Sequence, residues 1–180
     1  NENFGRAGAL IVAQQNSRRR METDQVLSGS NRPQPAYSEE GLPKITFLES
    51  MRFYYNGNVV DVIYTGPGHT DGDAQVYFRD SNVIHTGDMF VRYGLPFIDQ
   101  PNGGSTDGMI EALWTMAGLI NDDTIIIPGH GQLSTRVDLL EYRMMLVTIR
   151  GRIKDEIARG RSADQVVASN PARGYAEPGD

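Results

Sequence analysis

Three apolar runs in this chain each end in a turn or strand end that carries a metal-ligating side chain, and this recurrence constrains the fold more than any other feature. The first run, residues 59–64, leads into Thr65-Gly66-Pro67-Gly68-His69-Thr70-Asp71-Gly72-Asp73. The second, Val83-Ile84-His85-Thr86-Gly87-Asp88, is a strand leading into a turn with an acid. The third, Thr124-Ile125-Ile126-Ile127-Pro128-Gly129-His130-Gly131, is a strand leading into a turn with an imidazole. Gly and Pro after an apolar strand force the backbone to turn. A side chain placed there stands on a stiff base and faces the edge of a sheet. His69, Asp88 and His130 lie far apart in sequence, so no single local turn accounts for all three. Neutral imidazoles and a carboxylate are the donor set of zinc and similar ions.

The rest of the sequence reads as a mixed α/β protein. Of 180 residues, 39% are hydrophobic and 22% charged, which is ordinary for a globular domain able to bury a core. We expect one domain over 1–180. Residues 1–8 read as loop or the end of a short helix, 9–13 as a buried strand, and 16–24 as a short helix capped by Asn16. Residues 28–40, with Gly29, Pro33 and Pro35, read as loop. Residues 44–55 and 59–64 flank Asn56-Gly57, the strongest short-range hairpin signal. Strands follow at 74–78 and 83–85, then a long irregular loop over 87–105 whose aromatics Phe90, Tyr93 and Phe97 are expected to be exposed and to wall a pocket. Ser105 or Thr106 caps a helix to about Ile120 that buries Met109, Leu113, Met116 and Ala117 or Ile120. A strand follows over 124–127, then a long helix to Arg159 with Leu139, Leu140, Met144, Val147, Ile149, Ile153 and Ile157 as its apolar residues. Ser162 caps a last short helix through Ala168, and 170–180 reads as a Pro/Gly-rich tail.

Other chemistries are poorly supported. The chain has no Cys, which excludes disulfides, thiolate ligands and a Cys nucleophile. A net charge of −6 without a basic stripe argues against nucleic acid, and the local basic clusters at Arg18-Arg19-Arg20 and over 143–161 read as solvated helix faces. No apolar run reaches the ~20 residues of a membrane span, so no membrane partner is expected. Lack of Cys does not fix the compartment; a periplasmic or secreted place is favoured over a cytoplasmic one. His85 is read first as a packed residue or one supporting the ligands, and only secondarily as touching the metal or substrate. Asp71 and Asp73 flank His69 and are read as orienting its ring or, better, as capping its turn. No Ser stands in a pattern suited to a serine hydrolase.

The motifs Gly66-Pro67-Gly68-His69-Thr70-Asp71-Gly72-Asp73, His85-Thr86-Gly87-Asp88 and Ile127-Pro128-Gly129-His130-Gly131 resemble the later metal motifs of the metallo-β-lactamase-fold hydrolases. Asn1 to Gly5 resembles the segment just after that family's first motif. The resemblance implies an αββα sandwich with one or two zinc ions at the edge between two sheets. His69 would bind one metal, His130 the other, and Asp88 would bridge them, serving also as the catalytic carboxylate. It further implies hydrolysis of a small-molecule ester, thioester, lactone or amide by metal-activated hydroxide. An Asp at position 88, where the best-known zinc β-lactamases hold Cys or Ser, resembles the glyoxalase-II-like branch.

The family's His-x-His-x-Asp-His motif is absent, since no His precedes His69. The chain therefore reads as an N-terminally truncated member with weak or single-metal binding, and with apolar sheet surface exposed for homo-oligomerisation. The rival reading is an inactive fragment or a ligand- or partner-binding domain of the same fold.

Overall fold

In a computed structural model that describes residues 1–27 and 32–175, the chain is organised around one five-stranded sheet. In order, the elements are α1 (Glu2–Arg6), β1 (Val12–Gln14), α2 (Gln15–Met21), β2 (Gln25–Leu27), β3 (Arg32–Gln34), β4 (Ile45–Phe47), β5 (Ser50–Tyr55), β6 (Asn58–Ile63), β7 (Gln75–Phe78), β8 (Val83–Val91), α3 (Thr106–Leu119), β9 (Ile125–His130), α4 (Arg136–Ala158) and α5 (Ala163–Ala168). The large sheet has the order β5-β6-β7-β8-β9, antiparallel until β9 joins β8 in parallel through the crossover helix α3. Among the described residues, β1–β4 and β2–β3 form two further two-stranded sheets.

The hairpin at Asn56-Gly57 forms as the sequence implies. Asn56 and Gly57 take φ of 50° and 71°, the left-handed pair that suits the twist of the strands, and Tyr55 faces Asn58. The side-chain period of two then splits the sheet into two unlike faces. Tyr77, Ile84 and Ile126 share one face and are buried with α3 and α4, where Met109, Ile110, Leu113, Met116, Leu139, Tyr142 and Leu146 complete the core. The opposite face carries Met51, Phe53, Val60, Val62, Val76, Phe78, Ile125 and Ile127, which are half-buried or exposed. Apolar sheet surface is thus open to solvent among the described residues, as expected. No helix among them is long and apolar enough to cross a membrane.

The helix ends follow side-chain capping. Ser105 accepts from Gly108 N at the start of α3, so Gly103-Gly104-Ser105 is a loop-to-helix junction. Thr135 and Ser162 each close a capping box at α4 and α5. The Met109, Leu113, Met116 and Ala117 stripe of α3 is buried throughout, and Ile120 just past its end is buried too.

Several sequence expectations are corrected. The loop expected over 87–105 starts later, because Met89, Phe90 and Val91 are buried apolar residues that extend β8 alongside β9. The loop over 28–40 contains β3, which pairs with β2; residues 28–31 lie outside the described set. Residues 44–55 are two strands, β4 and β5, that join different sheets. Gln14, not Asn16, caps α2: its side chain accepts from Asn16 N. On α4 the buried stripe is Leu139, Tyr142, Met145 and Leu146, whereas Met144 and Ile157 face solvent. The tail residues 176–180 lie outside the described set.

Asp61 is a buried charge on the core face of β6, near the sheet edge. Arg52 from β5 and Arg79 after β7 both donate to its carboxylate, with Arg52 Nη2 at 3.0 Å from Oδ2. The Arg52 bond first, with help from Arg79, holds the Asp61 carboxyl below its ordinary 3.8 in spite of burial. The sign follows from linkage. A depressed carboxylate pKa adds stability above the unfolded pKa and loses it as pH falls through the folded value. Asp61→Asn should therefore lower the unfolding free energy by about 1.5–3 kcal/mol at pH 7. In urea titrations the gap between variant and parent should narrow below about pH 4; a gap that stays constant to pH 2 would contradict this role.

Candidate metal centre

The three strand ends deliver their side chains to one place. His69 stands on the turn after β6, Asp88 within β8, and His130 at the end of β9. Asp88 is not in a turn, as the sequence implied. It lies in a stretch of β8 where register with β9 slips twice, between His85 and Gly87 and between Gly87 and Val91. Such a bulge bends the strand and re-aims a side chain. Gly87 sits in the bulge at φ 55°. Close approach is possible because residue 129 has no side chain: a Cβ there would lie 2.1 Å from Asp88 Oδ1 and 2.7 Å from the Gly87 carbonyl carbon.

The Asp88 carboxylate lies between the two imidazoles. His69 Nε2 is 3.6 Å from Oδ2, and His130 Nε2 is 3.4 Å from Oδ1. The other nitrogen of His69, Nδ1, is 2.9 Å from the Phe97 carbonyl oxygen. A carbonyl only accepts, so Nδ1 carries a proton and Nε2 is the nitrogen turned toward Asp88. An added proton or a cation between Nε2 and the carboxylate would make this contact favourable. Two ligands bound ~2.1 Å from one tetrahedral ion sit ~3.4 Å apart, so the two observed separations fit an ion on each side of Asp88. Nevertheless, among the described residues no group of three or more His, Asp or Glu side chains is disposed around one common point as a metal site. Each half of the arrangement is one imidazole and one carboxylate oxygen.

The remaining candidates divide. Tyr93 is 58% exposed, with its ring 5.5 Å from that of His130; Phe97 is 47% exposed, with its ring 5.8 Å from that of His69. Each imidazole thus has an aromatic neighbour from one loop. Phe90 is 0% exposed and packs edge-on against Tyr142 at 5.1 Å, so it belongs to the core and not to a pocket wall. Its place in β8 rather than in the loop turns it inward. His85 lies exposed on the open sheet face, and its Nδ1 accepts from Gly87 N at 3.0 Å. That bond pins the bulge and reaches neither imidazole.

Asp73 caps the turn, accepting from Thr70 N at 2.7 Å and Thr70 Oγ1 at 3.0 Å. Burial pushes its carboxyl above the ordinary range, and the negative Asp88 adds to this. Asp71 turns away from His69 and pairs with Arg20, Nη2 to Oδ2 at 2.6 Å. The His69 ring is oriented by a backbone carbonyl that no residue type in the sequence signals. Arg20, Asp99 and Asn102 also brace this turn; the sequence alone marked Arg20 only as one of a solvated basic cluster.

A cavity of about 470 Å³ is lined by Val91, Arg92, Tyr142, Met145 and Tyr175, and none of His69, Asp88 and His130 is among its lining residues. Arg92 N donates to the His130 carbonyl at 2.9 Å, and Arg92 also pairs with Asp138.

The family model described as the metallo-beta-lactamase superfamily matches residues 4–140. Hydroxyacylglutathione hydrolase GloC of Haemophilus influenzae is 33% identical over 102 residues, covering 53% of this chain. The chain spans about half of that protein's length, 48%. A metallo-beta-lactamase from Pontibacter korlensis superposes with a TM-score of 0.62 at 18% identity, over 81% of this chain and 61% of that one. The sec-alkylsulfatase Pisa1 from Pseudomonas sp. gives 0.64 at 15% identity, over 94% of this chain and 33% of its own. At such identities the structural likeness speaks for the fold, and the family match speaks for descent. With most of its length covered by that match, this chain belongs to the metallo-beta-lactamase superfamily.

Proposed function

We propose that this chain is the metal-binding portion of a zinc-dependent hydrolase that cleaves an ester or thioester of a small acyl group. The observation that carries the reading is the Asp88 carboxylate set between two imidazoles, one of them fixed with its Nε2 turned toward it. His69, Asp88 and His130 are the residues that would hold zinc. Bound there, zinc supplies Lewis-acid charge and makes water a nucleophile at neutral pH. The work of the chain's own groups follows from their placement. Asp88 holds negative charge between the imidazoles and is positioned to accept a proton at either oxygen. The Phe97 carbonyl keeps Nδ1 of His69 protonated and the ring from rotating. Phe97 and Tyr93 present aromatic rings beside His69 and His130, where they would seat an acyl group and shed water from it.

The substrate class takes support from two sides. The Haemophilus influenzae relative is named a hydroxyacylglutathione hydrolase. Asp, not Cys or Ser, stands at position 88, which favours the ester and thioester reading over a lactam. One observation favours a second reading, a metal-poor domain of the same fold that binds a ligand or partner: no three side chains among the described residues form a closed metal site. Zinc content separates the two.

Under this reading the protein takes up at least one zinc when dialysed against micromolar zinc, and His130→Ala or Asp88→Asn lowers the affinity at least 10-fold by elemental analysis and competitive chelation. Zinc content unchanged in both variants would remove these residues from the site. Phe97→Ala keeps its backbone carbonyl, so it should leave zinc affinity within about 3-fold while raising KM for a chromogenic thioester about 10-fold. A loss of zinc without a change in KM would assign Phe97 to the metal and not to the substrate.

A further inference from the structure

The turn that carries His69 is held from outside by the loop over 97–105. Asp99 N donates to the His69 carbonyl at 2.9 Å, Asp71 N to the Asn102 carbonyl at 3.0 Å, and Ser105 N to the Gly68 carbonyl at 2.8 Å. The same loop supplies the Phe97 carbonyl that fixes the ring. Residue 104 lies so close that a Cβ there would be 2.3 Å from the His69 carbonyl oxygen. Ring and turn therefore move with the loop.

One side chain ties the loop to the turn. Arg20 gives Nε and Nη2 to the two Asp71 oxygens at 3.1 and 2.6 Å, and Nη1 to Asn102 Oδ1 at 3.3 Å. Asn102 Nδ2 passes the link on to Asp99 Oδ2 at 2.7 Å. The platform beneath Arg20 is itself pinned to the turn, since Asn16 Nδ2 donates to the Asp71 carbonyl at 2.9 Å and Ser17 Oγ to the Gly72 carbonyl at 3.1 Å. Arg20 and Asp71 are 31% and 28% exposed, so solvent screens the pair only in part. A planar fork with several fixed donors can serve both partners together; a Lys ammonium on its flexible stem cannot.

We propose that Arg20 is a positioning residue for His69: from α2 it clamps Asp71 on the turn to Asn102 on the loop, and so keeps the Phe97 carbonyl on Nδ1 and Nε2 aimed at Asp88. The purpose of the clamp rests on the zinc reading above, but the clamp itself does not need the metal. This lets one set of measurements judge the two separately.

The test uses the metal-free chain first. Nitrogen NMR at pH 8 should show His69 mainly as the Nδ1-protonated tautomer. In Arg20→Met the population should move toward the Nε2-protonated form, and exchange of the Asp99 and Asp71 amide protons should quicken at least 10-fold, with β7 and α3 amides unchanged. Arg19→Met removes the same charge from an exposed neighbour and should change neither. Asp71→Asn keeps the shape and drops the charge; it should reproduce the effect, add little to Arg20→Met in combination, and report on the link if Arg20→Met loses its fold. Cobalt(II) titration then reads the metal, with affinity about 10-fold weaker in Arg20→Met. A parental tautomer and parental exchange rates in Arg20→Met and in Asp71→Asn would overturn the inference. Failure of the parent chain to bind cobalt, with the tautomer shift intact, would overturn the zinc reading and leave the clamp standing.

Discussion

The centre of this structure is a convergence: two imidazole nitrogens held within 3.6 Å of one carboxylate, one of the rings fixed by a hydrogen bond on its far side. Such a convergence is favourable where positive charge lies between the groups, as an added proton or a bound cation. Much of the local architecture serves to maintain it. The slipped register of β8 aims Asp88, the bare backbone of Gly129 admits its Oδ1, and the Phe97 carbonyl fixes His69.

The sheet makes this arrangement affordable through rigidity on one side only. Its helix-covered face is a continuous apolar core from Tyr77 to Leu146, so β8 and β9 cannot drift. The opposite face stays open, with Phe78 and Ile125 exposed. Side chains borne on core strands and on loops anchored to them hold their geometry better than side chains on free loops. His69 is the exception, because its turn leaves the sheet at β6; the hydrogen bonds through Asp99, Asn102 and Arg20 compensate for this.

The legible part of the sequence was whatever local chemistry dictates. Asn56-Gly57 demanded a hairpin, Ser105, Thr135 and Ser162 announced helix starts, and the Gly-flanked His69 and His130 marked two of the three side chains that the structure brings together. What stayed hidden depended on long-range partners. Phe90 looked like a loop aromatic because a bulged strand interrupts its own alternation after Gly87, and only pairing with β9 shows that the strand continues. Met144 and Ile157 are apolar enough for a core, yet their helical phase points them away from α3. The fixing of His69 rests on a main-chain carbonyl, which every residue possesses and no motif can flag. Arg20 sat inside a run of three arginines, where charge alone suggested a solvated face.

The central claim is that Asp88 sits between two imidazoles because a cation belongs there. The most direct measurement is anomalous diffraction at the zinc edge from crystals equilibrated with zinc. The account predicts a peak bonded to Asp88 and to Nε2 of His69 or His130 at ~2.0–2.2 Å. Clear density for all three side chains with no peak among them, or zinc bound only elsewhere on the chain, would contradict it.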